Sequence, residues 1–350
     1  IIANSWMQTP GGAELADEGT RAVLTNFFAA AFNPSTLTRY SHVICAVLIM
    51  GAFMTMAVAA WYMHKKDHEK FALRAMKIGS IVATISCACM LVTAHSSAVV
   101  VSEEQPTKFA MMEGMYEDEV PPLYAIGWVD EANEQVIAPF AIPGGTSFLA
   151  TGNWDTEYQG LNSLAETEDY SAIDPETMPV NLVFQSYHLM VAMFGLMALT
   201  LLLALIFTFK GGSIKKMRWL QWLIIISPIF AVLAIQSGWA TAEFGRQPWV
   251  VYPSVTGPEG VELLTADGIS LAVSGWELIA TIVLFVLIYL VLFIVWARIV
   301  ARFIKQGPTQ EQPAPVAASS NSFMSGTPPA KAADVSSNDE TAPAATKEGE

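Results

Sequence analysis

From Met217 the chain runs apolar through Ile224-Ile225-Ile226 to Ile235, about the length of helix that crosses the hydrocarbon core of a bilayer. Four further stretches, 40–63, 73–100, 184–209 and 271–300, are of the same kind. Five such stretches leave few folds open, and composition narrows them further. Hydrophobic residues make up 53% of the 350 and charged residues only 14%, the balance of a multi-span membrane protein and not of a soluble enzyme. The expected fold class is all-α, a polytopic transmembrane helix bundle in contact with the lipid bilayer.

Charge places the connections. Lys and Arg crowd 64–77, 210–218 and 298–305, whereas 101–183 carries Lys108 alone among many Asp and Glu. By the positive-inside rule the first group is cytoplasmic and 101–183 lies outside. The net charge of −14 therefore sits largely on the outer face and in the tail, and no nucleic-acid partner is expected. The 101–183 segment is too long and too rich in turn residues, such as Pro121-Pro122 and Pro143-Gly144-Gly145, for a simple connector; a functional loop or a small folded cap is expected.

Residues 1–37 hold Pro10-Gly11-Gly12, an amphipathic stretch from about Arg21 to Phe32 and the turn Asn33-Pro34-Ser35. They read as an extracytoplasmic loop with one helix lying on the membrane surface. Residues 306–350 turn to Pro, Ala, Ser, Thr and charge, which predicts a disordered cytoplasmic tail. The organisation expected is thus 1–37 as loop, 38–100 as two spans, 101–183 as outer loop, 184–305 as three spans and 306–350 as tail. The chain opens on Ile1-Ile2-Ala3-Asn4 with no initiator Met and no charged region ahead of an apolar one, so it reads as a fragment without a signal peptide. Cys45, Cys87 and Cys89 lie in apolar runs without CxxC spacing and read as packing residues.

Chemistry concentrates in Gly238-Trp239-Ala240-Thr241-Ala242-Glu243-Phe244-Gly245-Arg246-Gln247-Pro248-Trp249. Glu243 and Arg246 stand three apart on one helical face, and Pro248 is expected to stop the helix. Taken alone, they could be an interfacial ion pair flanked by Trp239 and Trp249 as aromatic-belt anchors. His42 and Met190 each have an ordinary reading too, a hydrogen-bonded histidine and a core methionine. The topology nevertheless puts both near the outer face with Glu243, and a histidine with a methionine makes the axial pair of a low-spin haem. Lys108 and Glu113, five apart, could set an ammonium and a carboxylate around one small polar ligand, although loop charges are usually solvated.

The spelling GWATAEFGRQPW resembles the GWxxxExGRQPW signature of subunit I of the cytochrome bd-type quinol oxidases, and the resemblance extends over roughly residues 1–305. Arg39-Tyr40-Ser41-His42 and Phe184-Gln185-Ser186-Tyr187-His188-Leu189-Met190-Val191 resemble the segments that carry the low-spin b haem's histidine and methionine. The resemblance implies Glu243 as ligand of the high-spin b haem, with haem d as its other possible partner in the family. Arg246, Trp239 and His188 would then border these cofactors. His188 stands where many relatives have arginine, which leaves either a haem propionate contact or plain packing. Lys108-Phe109-Ala110-Met111-Met112-Glu113 resembles the quinol-binding loop, so Lys108 and Glu113 would bind and deprotonate quinol, and a carboxylate outside is a chemically suitable proton acceptor.

What the family implies overall is electron flow from quinol through two b haems to haem d, reduction of dioxygen to water, a contribution to the proton gradient, and a second membrane subunit (subunit II) in a bacterial or archaeal cell membrane. About four membrane helices, with the haem d histidine, would precede Ile1. Two other readings of the residues stand beside this one: a membrane b-type cytochrome that only relays electrons, and a transporter gated by Glu243 and Arg246.

Overall fold

The computed structural model describes residues 1–16, 21–253, 255–270 and 272–308. Five helices in it are long and apolar enough to cross a membrane. In chain order, α1 (Ile2–Gln8) leads into the strands β1 (Ala13–Leu15) and β2 (Ala22–Leu24), the short α2 (Phe27–Ala31), and the long α3 (Thr36–Lys65) and α4 (Glu69–Glu104). There follow α5 (Pro106–Glu113), β3 (Leu123–Asp130), β4 (Gln135–Ile142), α6 (Gly145–Thr151) and α7 (Leu161–Ala165). The last elements are α8 (Val180–Phe209), α9 (Arg218–Phe244), β5 (Trp249–Val251), β6 (Leu263–Leu264) and α10 (Gly275–Gln306). The fold is a helical membrane bundle, as expected, and each pair of strands forms its own small antiparallel ladder outside the long helices.

In lipid the backbone must satisfy its own polar groups, which is why the apolar runs become uninterrupted helices. Pro228 inside α9 tests that rule, since it cannot donate to Ile224 four residues back. Ser227 Oγ instead donates to the Ile224 carbonyl at 2.7 Å, so the helix passes through the proline without a bare acceptor. The bundle core is built from Ile49, Phe53, Met56 and Ala60 of α3, Met76 and Ala83 of α4, Met197 and Ala204 of α8, and Leu220 and Ile224 of α9. α9 packs against both α3 and α8. α10 is fixed at its N-terminus by a Ser274–Glu277 capping box and touches α3 through the Tyr62 hydroxyl, 2.7 Å from the Ile304 carbonyl, while its apolar side chains are exposed along nearly its whole length.

The 101–183 segment is a folded cap. Its core joins Phe109, Met111 and Met115 to Leu161, Leu164, Tyr170 and Ile173, and to Phe184, Trp249 and Tyr252 from the membrane helices and their ends. α5 ends at Gly114 with φ 74°, and a Cβ there would meet Val136 Cγ2 at 2.6 Å, so only glycine turns the chain under the β3–β4 hairpin.

Three expectations are corrected. The amphipathic stretch near Arg21 to Phe32 is not one surface helix; it divides into strand β2 and the five-residue α2, capped by Asn26. α9 is over by Phe244, ahead of Pro248, which follows a cis peptide bond in the turn beyond. Trp249 is no belt anchor, because it is completely buried in the cap core beside Tyr252 and Tyr170. Most of the expected tail, and Leu271 at the start of the fifth stretch, lie outside the described residues; α10 begins at Gly275.

Close approach of α3 and α4 depends on Gly79, where a Cβ would lie 2.8 Å from Met56 Cγ and 3.2 Å from the Ala52 carbonyl. Gly79→Val should therefore lower the melting temperature of the purified protein, since overpacking of this kind costs roughly 1–3 kcal/mol. An unchanged melting curve would mean that the two helices have slack there.

Candidate functional site

The motif's charged pair lies at the C-terminal end of α9. Arg246 Nη2 donates to Glu243 Oε2 at 2.6 Å and Arg246 Nη1 donates to the Val250 carbonyl at 2.7 Å. Asn4 Nδ2 of α1 donates to Glu243 Oε1 at 2.8 Å, and Arg39 Nη2 of α3 donates to Asn4 Oδ1 at 2.6 Å. The pair is thus one end of a chain of four side chains from three elements. Glu243 remains 39% exposed while Arg246 is buried to 8%, so the carboxylate is held yet reachable. Two guanidiniums stand against one carboxylate, and the buried Arg246 Nε has no hydrogen-bond partner among the described residues. The donor set has capacity for a further anion, such as the propionate of a haem.

Lys108 is drawn into the same cluster. It lies on α5 with its Nζ donating to Gln8 Oε1 and, at 2.9 Å, to Gln105 Oε1. Gln8 in turn donates through Nε2 to the Ala242 carbonyl of α9 at 3.0 Å. The lysine stem lies over Gly245, where a Cβ would come within 2.8 Å of Lys108 Cγ. Burial, followed by the Arg39 and Arg246 guanidiniums, pushes the Lys108 ammonium well below its ordinary 10.5, against the pull of Glu243.

Glu113 points elsewhere. Five residues along a helix turn through about 140° beyond a full revolution, and Glu113 accepts from Thr146 Oγ1 of α6 at 3.1 Å. It shares no hydrogen-bond partner with Lys108 among the described residues. Neither charge is solvated, as loop charges usually are; relative exposures are 3% for Lys108 and 1% for Glu113. Burial raises the Glu113 carboxyl to about 8, with Thr146 opposing and Glu119 adding to the rise.

His42 is half-buried on α3, and its Nδ1 is buried without a partner among the described residues. An unpaired buried imidazole nitrogen is costly in a protein interior, and an iron ligand need not leave it so. Met190 on α8 rests against the motif helix, for a Cβ on Gly238 would meet its Sδ at 2.9 Å. α8 and α9 are further joined by Ser186 Oγ and Thr241 Oγ1 at 2.9 Å. The unpaired His42 Nδ1 is compatible with a metal ligand, while Met190 lies on a different helix, α8. His188 places Nδ1 2.8 Å from the Phe184 carbonyl of its own helix and stacks on the Phe184 ring at 4.0 Å. Trp239 is 36% exposed on α9.

Asn4, Gln8, Gln105 and Thr146 belong to none of the motifs legible in the sequence, and Arg39 stands out there only as the start of the segment that ends in His42. Only the fold brings Asn4 across 239 positions to Glu243.

Comparison with known proteins gives the family. The family model described as cytochrome bd terminal oxidase subunit I matches residues 1–308. The chain is 27% identical to the cytochrome bd-II ubiquinol oxidase subunit 1 of Escherichia coli, over 89% of its own length and 70% of the relative's. It is 28% identical to the cytochrome bd ubiquinol oxidase subunit 1 of Bacillus subtilis, over 92% and 67%. The bd oxidase structure from Geobacillus thermodenitrificans superposes with a TM-score of 0.70 at 26% identity, covering 88% of this chain and 66% of that one. The chain thus spans about two thirds of the length of these relatives. With the match running from α1 through α10 and including every residue of the polar cluster, the chain belongs to the cytochrome bd terminal oxidase subunit I family.

Proposed function

We propose that this chain is the haem-bearing, quinol-oxidising part of a terminal oxidase. The observation that carries the reading is the seat of Lys108: the side chain is buried on Gln8 and Gln105 against Gly245, which supports reading helix α5 and the Glu243 motif as parts of one site. Lys108 would orient a quinol oxygen and Glu113 would accept its proton. His42 and Met190 would hold the low-spin b haem, and Glu243 the high-spin b haem, with Arg246 and Arg39 balancing carboxylate charge and His188 and Trp239 at the border. When bound, the two b haems and haem d supply the electron carriers and the centre at which dioxygen is reduced to water. The charge pattern supports an outer location for 101–183, a cytoplasmic tail and proton release outside. The exposed apolar length of α10 is compatible with lipid and with subunit II.

Three measurements on the whole oxidase test this. Lys108→Met and Glu113→Gln should each lower quinol-driven oxygen uptake by about tenfold or more, within the range for a positioned acid or base. Both should leave the haem spectrum and uptake with a reductant that bypasses quinol intact; equal loss with both donors would make these residues structural. Haem without oxygen uptake from either donor in the native protein would favour the electron-relay cytochrome instead.

Met190→Leu keeps volume and removes the thioether. That change and His42→Ala should each abolish or shift the reduced low-spin b-haem band, and an unchanged band in both would remove the ligand assignment.

Stability should also depend on pH through Glu113. The folded carboxyl keeps its proton to about pH 8, whereas the unfolded one releases it near 4.5. The folded state therefore binds more protons over this interval, and stability contributed by the neutral, buried acid is complete below 4.5 and lost as pH rises through 8. Relative to Glu113→Gln, the native protein should lose melting temperature between about pH 5 and about pH 8, at roughly 1.4 kcal/mol per pK unit. Parallel melting curves across that range would show that the carboxyl ionises without strain.

A further inference from the structure

Thr146, the second residue of α6, has one hydroxyl set between two acceptors. Its Oγ1 lies 3.1 Å from Glu113 Oε2 and 3.1 Å from the Pro122 carbonyl. A hydroxyl has a single proton to give and lone pairs with which to accept, so it cannot donate to both at once. The two distances do satisfy two complementary arrangements. With Glu113 ionised, Thr146 donates to Oε2. With Glu113 protonated, the carboxyl O–H donates to Thr146 Oγ1, and Thr146 turns its own proton to Pro122. The position is fixed from both sides, because the next residue, Ser147, donates its N–H to the Pro121 carbonyl at 3.4 Å and lies with its Oγ 3.1 and 2.9 Å from the Asn153 and Thr156 carbonyls.

We infer that Thr146 is a positioning residue for quinol oxidation, holding the Glu113 carboxyl in one place in both of its protonation states by reversing the direction of a single hydrogen bond. The inference rests on the reading of Glu113 as proton acceptor. Proton bookkeeping is simple: the quinol O–H breaks, a new O–H forms on Glu113, and Thr146 keeps its own proton throughout. Without the Pro122 carbonyl, a Thr146 hydroxyl accepting from protonated Glu113 would have no acceptor for its own proton. With it, neither state leaves a buried donor unpaired. The other titratable groups whose charge bears on Glu113 are Glu119 in the following turn, Tyr124 on β3 and Tyr187 on α8. Lys108 on the same helix is turned to the other cluster. Thr146 is thus the one hydroxyl bonded to the carboxylate among the described residues.

The test is the pH profile of quinol-driven oxygen uptake by the whole oxidase, with Thr146→Val, Thr146→Ser and Glu113→Gln compared. Thr146→Val keeps the shape and removes the donor that favours the ionised acceptor. The acid limb of kcat should then move up by about one pH unit, and the rate near pH 7 should fall about tenfold. Thr146→Ser should restore the native profile, and uptake from the bypass reductant should be unaffected in both. A native profile in Thr146→Val would overturn the inference, as would Thr146→Ser displaced as far as Thr146→Val, or loss with both donors. If Glu113→Gln oxidises quinol at the native rate, the reading of Glu113 itself falls and takes this inference with it. Loss in Glu113→Gln beside an unaltered Thr146→Val overturns the role of Thr146 alone.

Discussion

An ammonium taken out of water must find acceptors or give up its proton, and the way Lys108 meets that demand sets the relation of the outer segment to the bundle. Its acceptors are two glutamine side chains, and each of these is itself placed by long-range contacts. Gln105 Nε2 donates to the Gln8 carbonyl and side chain at 2.9 and 2.8 Å, and Gln8 donates onward to Ala242 of α9. For Gln8 to be there, α1 must lie across the end of α9, and that same placement delivers Asn4 to Glu243. The Tyr252 N–H bonded to the Met7 carbonyl at 2.9 Å ties the chain after the motif to the same helix. One buried cation thereby connects the N-terminal segment, the motif and the cap.

The sequence made the spans legible because a helix in lipid must be apolar over a fixed length and closed by charge, and both signs are local. The charged pair was legible for the same reason: Glu243 and Arg246 are three residues apart, and proximity along the chain becomes proximity in space. Residues 1–37 were not. Their short elements bury no continuous apolar face, so no period marks them, and the side chains that matter there, Asn4 and Gln8, have partners 239 and 234 positions away. Trp249 was misread because a tryptophan at a helix end has the same local surroundings whether it meets lipid headgroups or a folded cap. Only the length of 101–183 hinted that a cap existed to receive it.

Lys108 and Glu113 were legible as a pair and misleading as a geometry. Their spacing invites a picture of two charges on one ligand, yet on an eight-residue helix they face different neighbours, one toward Gln8 and Gln105 and the other toward Thr146. α5 therefore joins the polar cluster at the Glu243 motif on one side to the Glu113–Thr146 contact in the cap on the other. A substrate engaging both side chains would have to reach around the helix, or α5 would have to shift. That geometric demand could not be seen before the helix was placed.

Burial acts with opposite sign on the two groups, raising the carboxyl and lowering the ammonium, and so draws both from the extremes of their ordinary ranges toward neutrality. The common cause is burial, since Lys108 and Glu113 lie on a helix whose side chains from Thr107 to Glu113 are all buried. A solvated loop bearing the same two charges would hold its lysine protonated and its glutamate ionised across the neutral range, with little reason to exchange a proton with anything. Packing α5 into a core makes each charge conditional on its own neighbours, the Lys108 ammonium on the glutamine oxygens that accept from it and the Glu113 carboxyl on the hydroxyl of Thr146.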